Sequence, residues 1–156
     1  MFSEIFPVSN IVVDLESEDK DELFEEMVEV LVSAQPGIDR AEALVALKER
    51  ESKMTTGIMP GIAVPHAISS TVDGVVGAIG ISRNGIDYGS LDNRPVHIVF
   101  MLLFAPKETE RHLQIMKHFA GLLQCQNLCS DLIQKKSASE VYDLICACEE
   151  EMEKNF

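Results

Sequence analysis

Apolar residues follow two rhythms along this chain. Between Lys20 and Ser33, Leu23, Phe24, Met27, Val28, Val30 and Leu31 recur at the three-and-four spacing of a helix face. Ser17 or Asp19 can cap that segment, and Gln35-Pro36-Gly37 ends it, because Pro and Gly both stop helices. Asp39 stands where it can cap a second helix, Arg40–Glu51, with Ala41, Leu44, Val45 and Leu47 apolar. The spacing of Leu113, Ile115, Met116, Phe119 and Leu122 predicts a helix over Thr109–Leu123, and a shorter one follows at Asn127–Gln134. Ser137 and Glu140 have capping-box spacing and open a last helix that reaches about Lys154.

Other stretches lose that rhythm. Asn10–Leu15, Ile62–Val64 and Val75–Ser82 are short, rich in β-branched residues, and read as strands. Pro95–Pro106, P-V-H-I-V-F-M-L-L-F-A-P, is the most continuous apolar run and predicts a central strand buried on both faces. Asn84-Gly85 is a turn signal, Asp87–Arg94 reads as a polar loop, and Ser52–Gly61 as another. No repeat or interdomain linker interrupts the chain. The order β-α-α-β-β-β-α-α-α predicts one α/β domain over residues 1–156. It is a three-layer α/β/α stack with a mixed sheet of four to five strands.

Composition changes this picture in three ways. The net charge of −13 argues against a nucleic-acid partner, which wants a basic footprint; it suits a partner with a basic face, or simple solubility. No apolar run is long enough to span a bilayer, and M-F-S-E-I-F-P-V-S-N lacks the features of a signal peptide, so a cytoplasmic location is expected. Cys125, Cys129, Cys146 and Cys148 are expected as reduced core thiols, because their spacing lacks the C-x2-C pairs or nearby His of a zinc site.

The chemistry concentrates in T-T-G-I-M-P-G-I-A-V-P-H-A, residues 55–67, a run without charge in an acidic chain. Pro65 fixes the backbone before His66, and Gly57 and Gly61 allow tight turns and close backbone approach. Free N–H groups of the loop, with a helical turn opening at Ala67, can face an anion. A neutral imidazole is a good nucleophile towards phosphorus and holds the phosphoryl group in a labile linkage.

With Arg50-Glu51, Thr55-Thr56-Gly57-Ile58, Gly61–His66, Gly85–Tyr88 (G-I-D-Y), Pro95–Pro106 and His112-Leu113, the chain resembles the EIIA domains of the phosphoenolpyruvate-dependent sugar phosphotransferase system. The subtype is the fructose, mannitol and nitrogen-regulatory (PtsN-like) one. The resemblance covers nearly the whole chain. It implies that His66 accepts phosphoryl from phospho-HPr, that Arg50 steadies phosphate charge, and that His112 hydrogen-bonds the phosphohistidine or its phosphate. It implies onward transfer to a Cys of a sugar-specific EIIB protein, or a PtsN-like role in which phosphorylation controls binding to regulatory target proteins. No cofactor and no metal are expected. A zinc site on His66 and His112 lacks the H-x-x-x-H spacing that would favour it.

Thr55 and Thr56 can donate hydroxyls to a phosphate or cap the loop; Thr56, through its hydroxyl, and Gly57 beside it are the residues expected to bind phosphate. Glu51 reads equally as a partner orienting Arg50 or as surface charge, while His97 and His118 read as structural. Met59-Pro60 stands where the family commonly has small polar residues, and Pro60 removes an N–H from the loop. No segment resembling EIIB, EIIC or HPr accompanies the domain, so a stand-alone EIIA is expected.

Overall fold

The computed structural model describes residues 1–154. The elements in chain order are α1 (Phe2–Ile5), a 3₁₀ turn at Val8–Asn10, β1 (Ile11–Val12), α2 (Lys20–Ala34), α3 (Arg40–Lys53), β2 (Ile62–Ala63) and β3 (His66–Ile68). Then follow β4 (Val75–Ile86), β5 (Val96–Phe104), α4 (Thr109–Leu122), α5 (Leu128–Ile133) and α6 (Ala138–Lys154). The five strands form one sheet in the order β1-β4-β5-β2, with β3 also pairing β5. β4 and β5 are antiparallel, and the other neighbours are parallel, so the sheet is mixed as the pattern predicts.

β5 is the spine, because alternate residues feed two cores. Ile98, Phe100, Leu102 and Phe104 join Phe2, Phe6, Ile115, Phe119, Val141 and Ile145 on the face covered by α1, α4, α5 and α6. Val99, Met101 and Leu103 join Leu23, Phe24, Met27, Leu31, Ala43 and Leu47 beneath α2 and α3. Asp19 caps α2 by accepting from Glu22 N at 2.9 Å, and Asp39 caps α3 by accepting from Glu42 N at 3.1 Å.

Three differences from the sequence reading have local causes. α1 is too short to show a periodicity, yet Phe2, Ile5 and Phe6 are all buried. Asn84-Gly85 does not end β4: the strand continues to Ile86 through an irregularity in its pairing with β5, and Gly85 sits at φ +88°. Ala67 opens no helical turn; it lies in β3, opposite Leu103 of β5.

Candidate functional site

β2 and β3 are two pieces of one edge. Ile62 and Ala63 stand opposite Ile98 and Val99, and His66 stands opposite Leu102, all parallel to β5. Val64-Pro65 breaks the run between them, since Pro65 has no N–H to give a ladder. Its carbonyl still accepts from Leu102 N at 3.0 Å. The break turns the Val64 carbonyl onto the His66 ring, with Nδ1 at 2.8 Å. A carbonyl oxygen only accepts, so Nδ1 carries the proton and Nε2 keeps its lone pair.

His66 is 9% exposed. Burial is the largest influence on its pKa and lowers it below 6.5. The Val64 carbonyl opposes that shift, Arg50 and His112 add to it, and Glu51 acts weakly the other way. The imidazole is therefore neutral at pH 7, the form that has a free lone pair.

Arg50 lies in the last turn of α3 and donates from Nη1 to Met54 O at 3.2 Å. Among the described residues no carboxylate pairs with it. His112, in the first turn of α4, stacks on Phe104 with ring centroids 4.2 Å apart and planes 18° apart. Its centroid is 5.6 Å from that of His66, edge to face at 75°. Burial and then Arg50 lower its pKa as well. The structure thus brings Arg50, His66 and His112 together. Arg50 and His66 border a pocket of about 230 Å³ whose walls include Met54, Ile58, Met116 and Phe119. Met54, Ile58 and Leu113 are exposed, at 58%, 53% and 59%.

Thr56 and Gly57 are turned away from the role expected of them. The Thr56 hydroxyl donates to Glu51 Oε2 at 2.8 Å and lies 2.8 Å from the Tyr88 hydroxyl; its N–H donates to Glu51 Oε1 at 2.8 Å. The Gly57 N–H goes to Thr55 Oγ1 at 3.1 Å. A Cβ on Gly57 would lie 2.9 Å from Ser90 Cβ and 3.0 Å from Tyr88 Cδ1, so this glycine serves close packing. Val64 N and Ile62 N are likewise spent, on Thr56 O and Met59 O. These four N–H groups are therefore not available to an anion, and Arg50 supplies positive charge beside the ring.

Met59-Pro60-Gly61-Ile62 explains the departure noted in the sequence. Ile62 N donates to Met59 O at 3.1 Å, and Gly61 has φ +75°. Pro second and a positive-φ glycine third are the requirements of a type II turn, where the N–H missing from Pro60 costs nothing.

Sequence reasoning left Glu51 undecided, although Ala43, Leu47 and Glu51 are spaced four apart on one helix face and all three are buried. The same spacing in Val141, Ile145 and Glu149 buries a second acid. Glu149 accepts from Phe2 N at 2.8 Å and His118 Nε2 at 2.7 Å. Burial alone would raise its pKa, but these bonds hold it below the usual value. His118 is thus structural, and so is His97, whose Nδ1 donates to Ser82 O at 2.8 Å. The four cysteines are free and half-buried. Burial, then the neighbouring Cys125 thiol, pushes Cys148 up to about 12. Among the described residues no group of three or more His, Cys, Asp or Glu is placed to hold a metal, and no helix is long and apolar enough to cross a membrane.

Residues 4–147 match the family model described as phosphoenolpyruvate-dependent sugar phosphotransferase system, EIIA 2. The chain is 34% identical over 143 residues to a fructose-specific EIIABC component of Bacillus subtilis, covering 92% of this chain and 22% of that protein's length. It is 32% identical to a fructose-specific EIIA component of Haloferax volcanii, covering 92% of this chain and 93% of the other. It superposes on the crystal structure of the nitrogen regulatory protein IIA-Ntr of Neisseria meningitidis with a TM-score of 0.84 and 30% identity, covering 92% of this chain and 98% of that one.

Proposed function

Because the chain belongs to the EIIA 2 family of the phosphoenolpyruvate-dependent sugar phosphotransferase system, we propose that it is a phosphoryl carrier with His66 as the accepting residue. The carrying observation is the Nδ1–H···O=C bond to Val64, which leaves the Nε2 lone pair free. Nε2 attacks the phosphorus of phospho-HPr in line. The new N–P bond forms as the bond to the donor histidine breaks, and the donor ring leaves with its electron pair. His66 keeps its Nδ1 proton on Val64, so the phosphorylated ring is an imidazolium and a good leaving group. A cysteine thiolate of an EIIB protein then attacks phosphorus, and neutral His66 is regenerated.

Arg50 faces the transferred group with a guanidinium that no carboxylate pairs with among the described residues, and His112 adds a hydrogen-bonding edge. The apolar wall with exposed Met54 and Ile58 is the surface a protein donor covers, excluding water from the labile bond. Incubation with phosphoenolpyruvate, enzyme I and HPr tests the reading. The wild type becomes labelled and His66→Ala does not. Full labelling of His66→Ala overturns it.

The similarity to IIA-Ntr supports a second reading. There the phosphorylation state of His66 controls which regulatory proteins bind, without onward transfer to sugar; a phosphoryl group adds enough charge to switch an interface. Capture with phosphorylated and unphosphorylated protein separates the two. Identical partner sets in both states argue against the switch.

A further inference from the structure

Glu51 is a carboxylate at 6% exposure to which the transfer chemistry above gives no task. Both of its oxygens are engaged. Oε1 accepts from Thr56 N at 2.8 Å and pairs with Lys20 Nζ at 3.4 Å; Oε2 accepts from Thr56 Oγ1 at 2.8 Å. The single Thr56 hydroxyl proton is spent there, so the Tyr88 hydroxyl, 2.8 Å away, donates to Thr56. The Lys20 ammonium sits 4.4 Å above the Tyr88 ring centroid. Groups from α3 and the β4–β5 connection therefore converge on Thr56, one residue of the loop, and Lys20 of α2 braces both of them.

That residue is also the start of a relay. Thr56 O accepts from Val64 N at 3.3 Å, and Val64 O accepts from His66 Nδ1 at 2.8 Å. Fixing the N–H and the hydroxyl of Thr56 fixes the direction of its peptide planes, and so the place of Val64 and the aim of its carbonyl. If Thr56 relaxes, the Val64 carbonyl is free to turn away. The imidazole then takes its other tautomer, in which Nε2 is protonated and has no lone pair for phosphorus.

We propose that Glu51 is a positioning residue that holds His66 in the Nδ1–H tautomer through Thr56 and Val64. Its consequence for phosphoryl acceptance rests on the carrier reading of His66. Glu51→Gln keeps the size of the side chain but faces the Thr56 hydroxyl and the Lys20 ammonium with an amide group. Glu51→Asp keeps the charge and withdraws the oxygens by one methylene.

The full chain is examined at pH 8, where His66 is neutral, by long-range ¹H–¹⁵N correlation of the imidazole nitrogens. Labelling by phospho-HPr and thermal unfolding are measured in parallel. Wild type shows a single Nδ1–H pattern. Each folded variant shows a mixture with Nε2–H, and labelling at saturating phospho-HPr slows about tenfold, the usual scale for losing a group that orients a functional histidine. The donor concentration at half-maximal rate stays within about twofold, since the docking surface is untouched. Lower thermal stability alone, with the tautomer unchanged in whichever variant folds, overturns the proposal. The tautomer readout needs no phosphoryl transfer, so wild type that is never labelled refutes the carrier reading and leaves the Glu51 test intact.

Discussion

Replacing Gly61 by Ala tests the turn that delivers the chain to His66. Gly61 holds φ +75°, a conformation that costs an L-residue roughly 1–3 kcal/mol. Its new Cβ would also stand 2.7 Å from Cys129 Sγ, and overpacking of this kind costs about 1–3 kcal/mol. The sum for Gly61→Ala is roughly 2–6 kcal/mol. Cys129→Ala removes the half-buried sulfur at a cost of about 1 kcal/mol, an ordinary value for a single substitution. In the double variant the steric part disappears and only the backbone part remains, so the two changes fall short of additivity by about 1–3 kcal/mol. Gly37→Ala is the control: nothing lies within 4 Å of its Cβ and its φ is not positive, so it stays within about 0.5 kcal/mol of wild type or slightly above it. Urea unfolding followed by circular dichroism at 25 °C supplies the four corners of the cycle. Additivity of Gly61→Ala and Cys129→Ala within about 0.5 kcal/mol refutes the contact. A cost for Gly61→Ala no larger than for Gly37→Ala refutes the turn itself.

Three further outcomes follow from the same geometry. The native pKa of His66 lies below 6.5, so on acidification the unfolded chain takes up that proton before the native one; stability present above pH 6.5 is lost as pH falls through the window beneath it. Urea midpoints measured from pH 8 to pH 5 fall less steeply in His66→Gln than in wild type, and parallel slopes would show that the imidazole is not buried neutral; His112 contributes in the same direction and remains in both proteins. Asp39→Ala removes the acceptor for Glu42 N at the start of α3 and costs about 1 kcal/mol by the same urea assay. Met54→Ser and Ile58→Ser alter exposed side chains, so stability moves by less than about 0.5 kcal/mol. Both raise the phospho-HPr concentration needed for half-maximal labelling of His66 without lowering the maximal rate, as measured by initial rates across donor concentration.

What the sequence made legible depended on how local the determinant was. α2, α3 and α4 announce themselves because each carries its own apolar stripe, and β5 because it is apolar at every position but His97. β3 was hidden. Val64-Pro65-His66 looks like a strand ending in a turn, and only the partner β5 makes Ala67 extend the sheet. The grouping of His66, Arg50 and His112 was readable from a family resemblance, not from spacing, since α3, β3 and α4 meet only in the fold. The direction of the Thr56 hydroxyl was not readable, because it is decided by Glu51 five residues before it and Tyr88 thirty-two residues after it. The burial of Glu51 was readable in principle from the column Ala43, Leu47, Glu51, but an acid in so acidic a chain passes for surface charge.

Arg50 and Glu51 are neighbours of opposite charge, and in an extended segment they would sit on opposite faces with no fixed relation to the imidazole. On a helix, adjacent side chains diverge by about 100°. Glu51 therefore enters the core beside Leu47 while Arg50 turns to the pocket. Lys20 meets the carboxylate that Arg50 leaves behind, so the buried charge is balanced without drawing on the Arg50 guanidinium. On the carrier reading of His66, in a protein of net charge −13, this separation decides whether a phosphoryl dianion meets an attractive field at Nε2 or a repulsive one. A pair closed between Arg50 and Glu51 would cancel the cation the incoming group needs. With Lys20 holding Glu51, and Glu51 holding Thr56, the charge of Arg50 and the lone pair of His66 are kept available by one set of contacts.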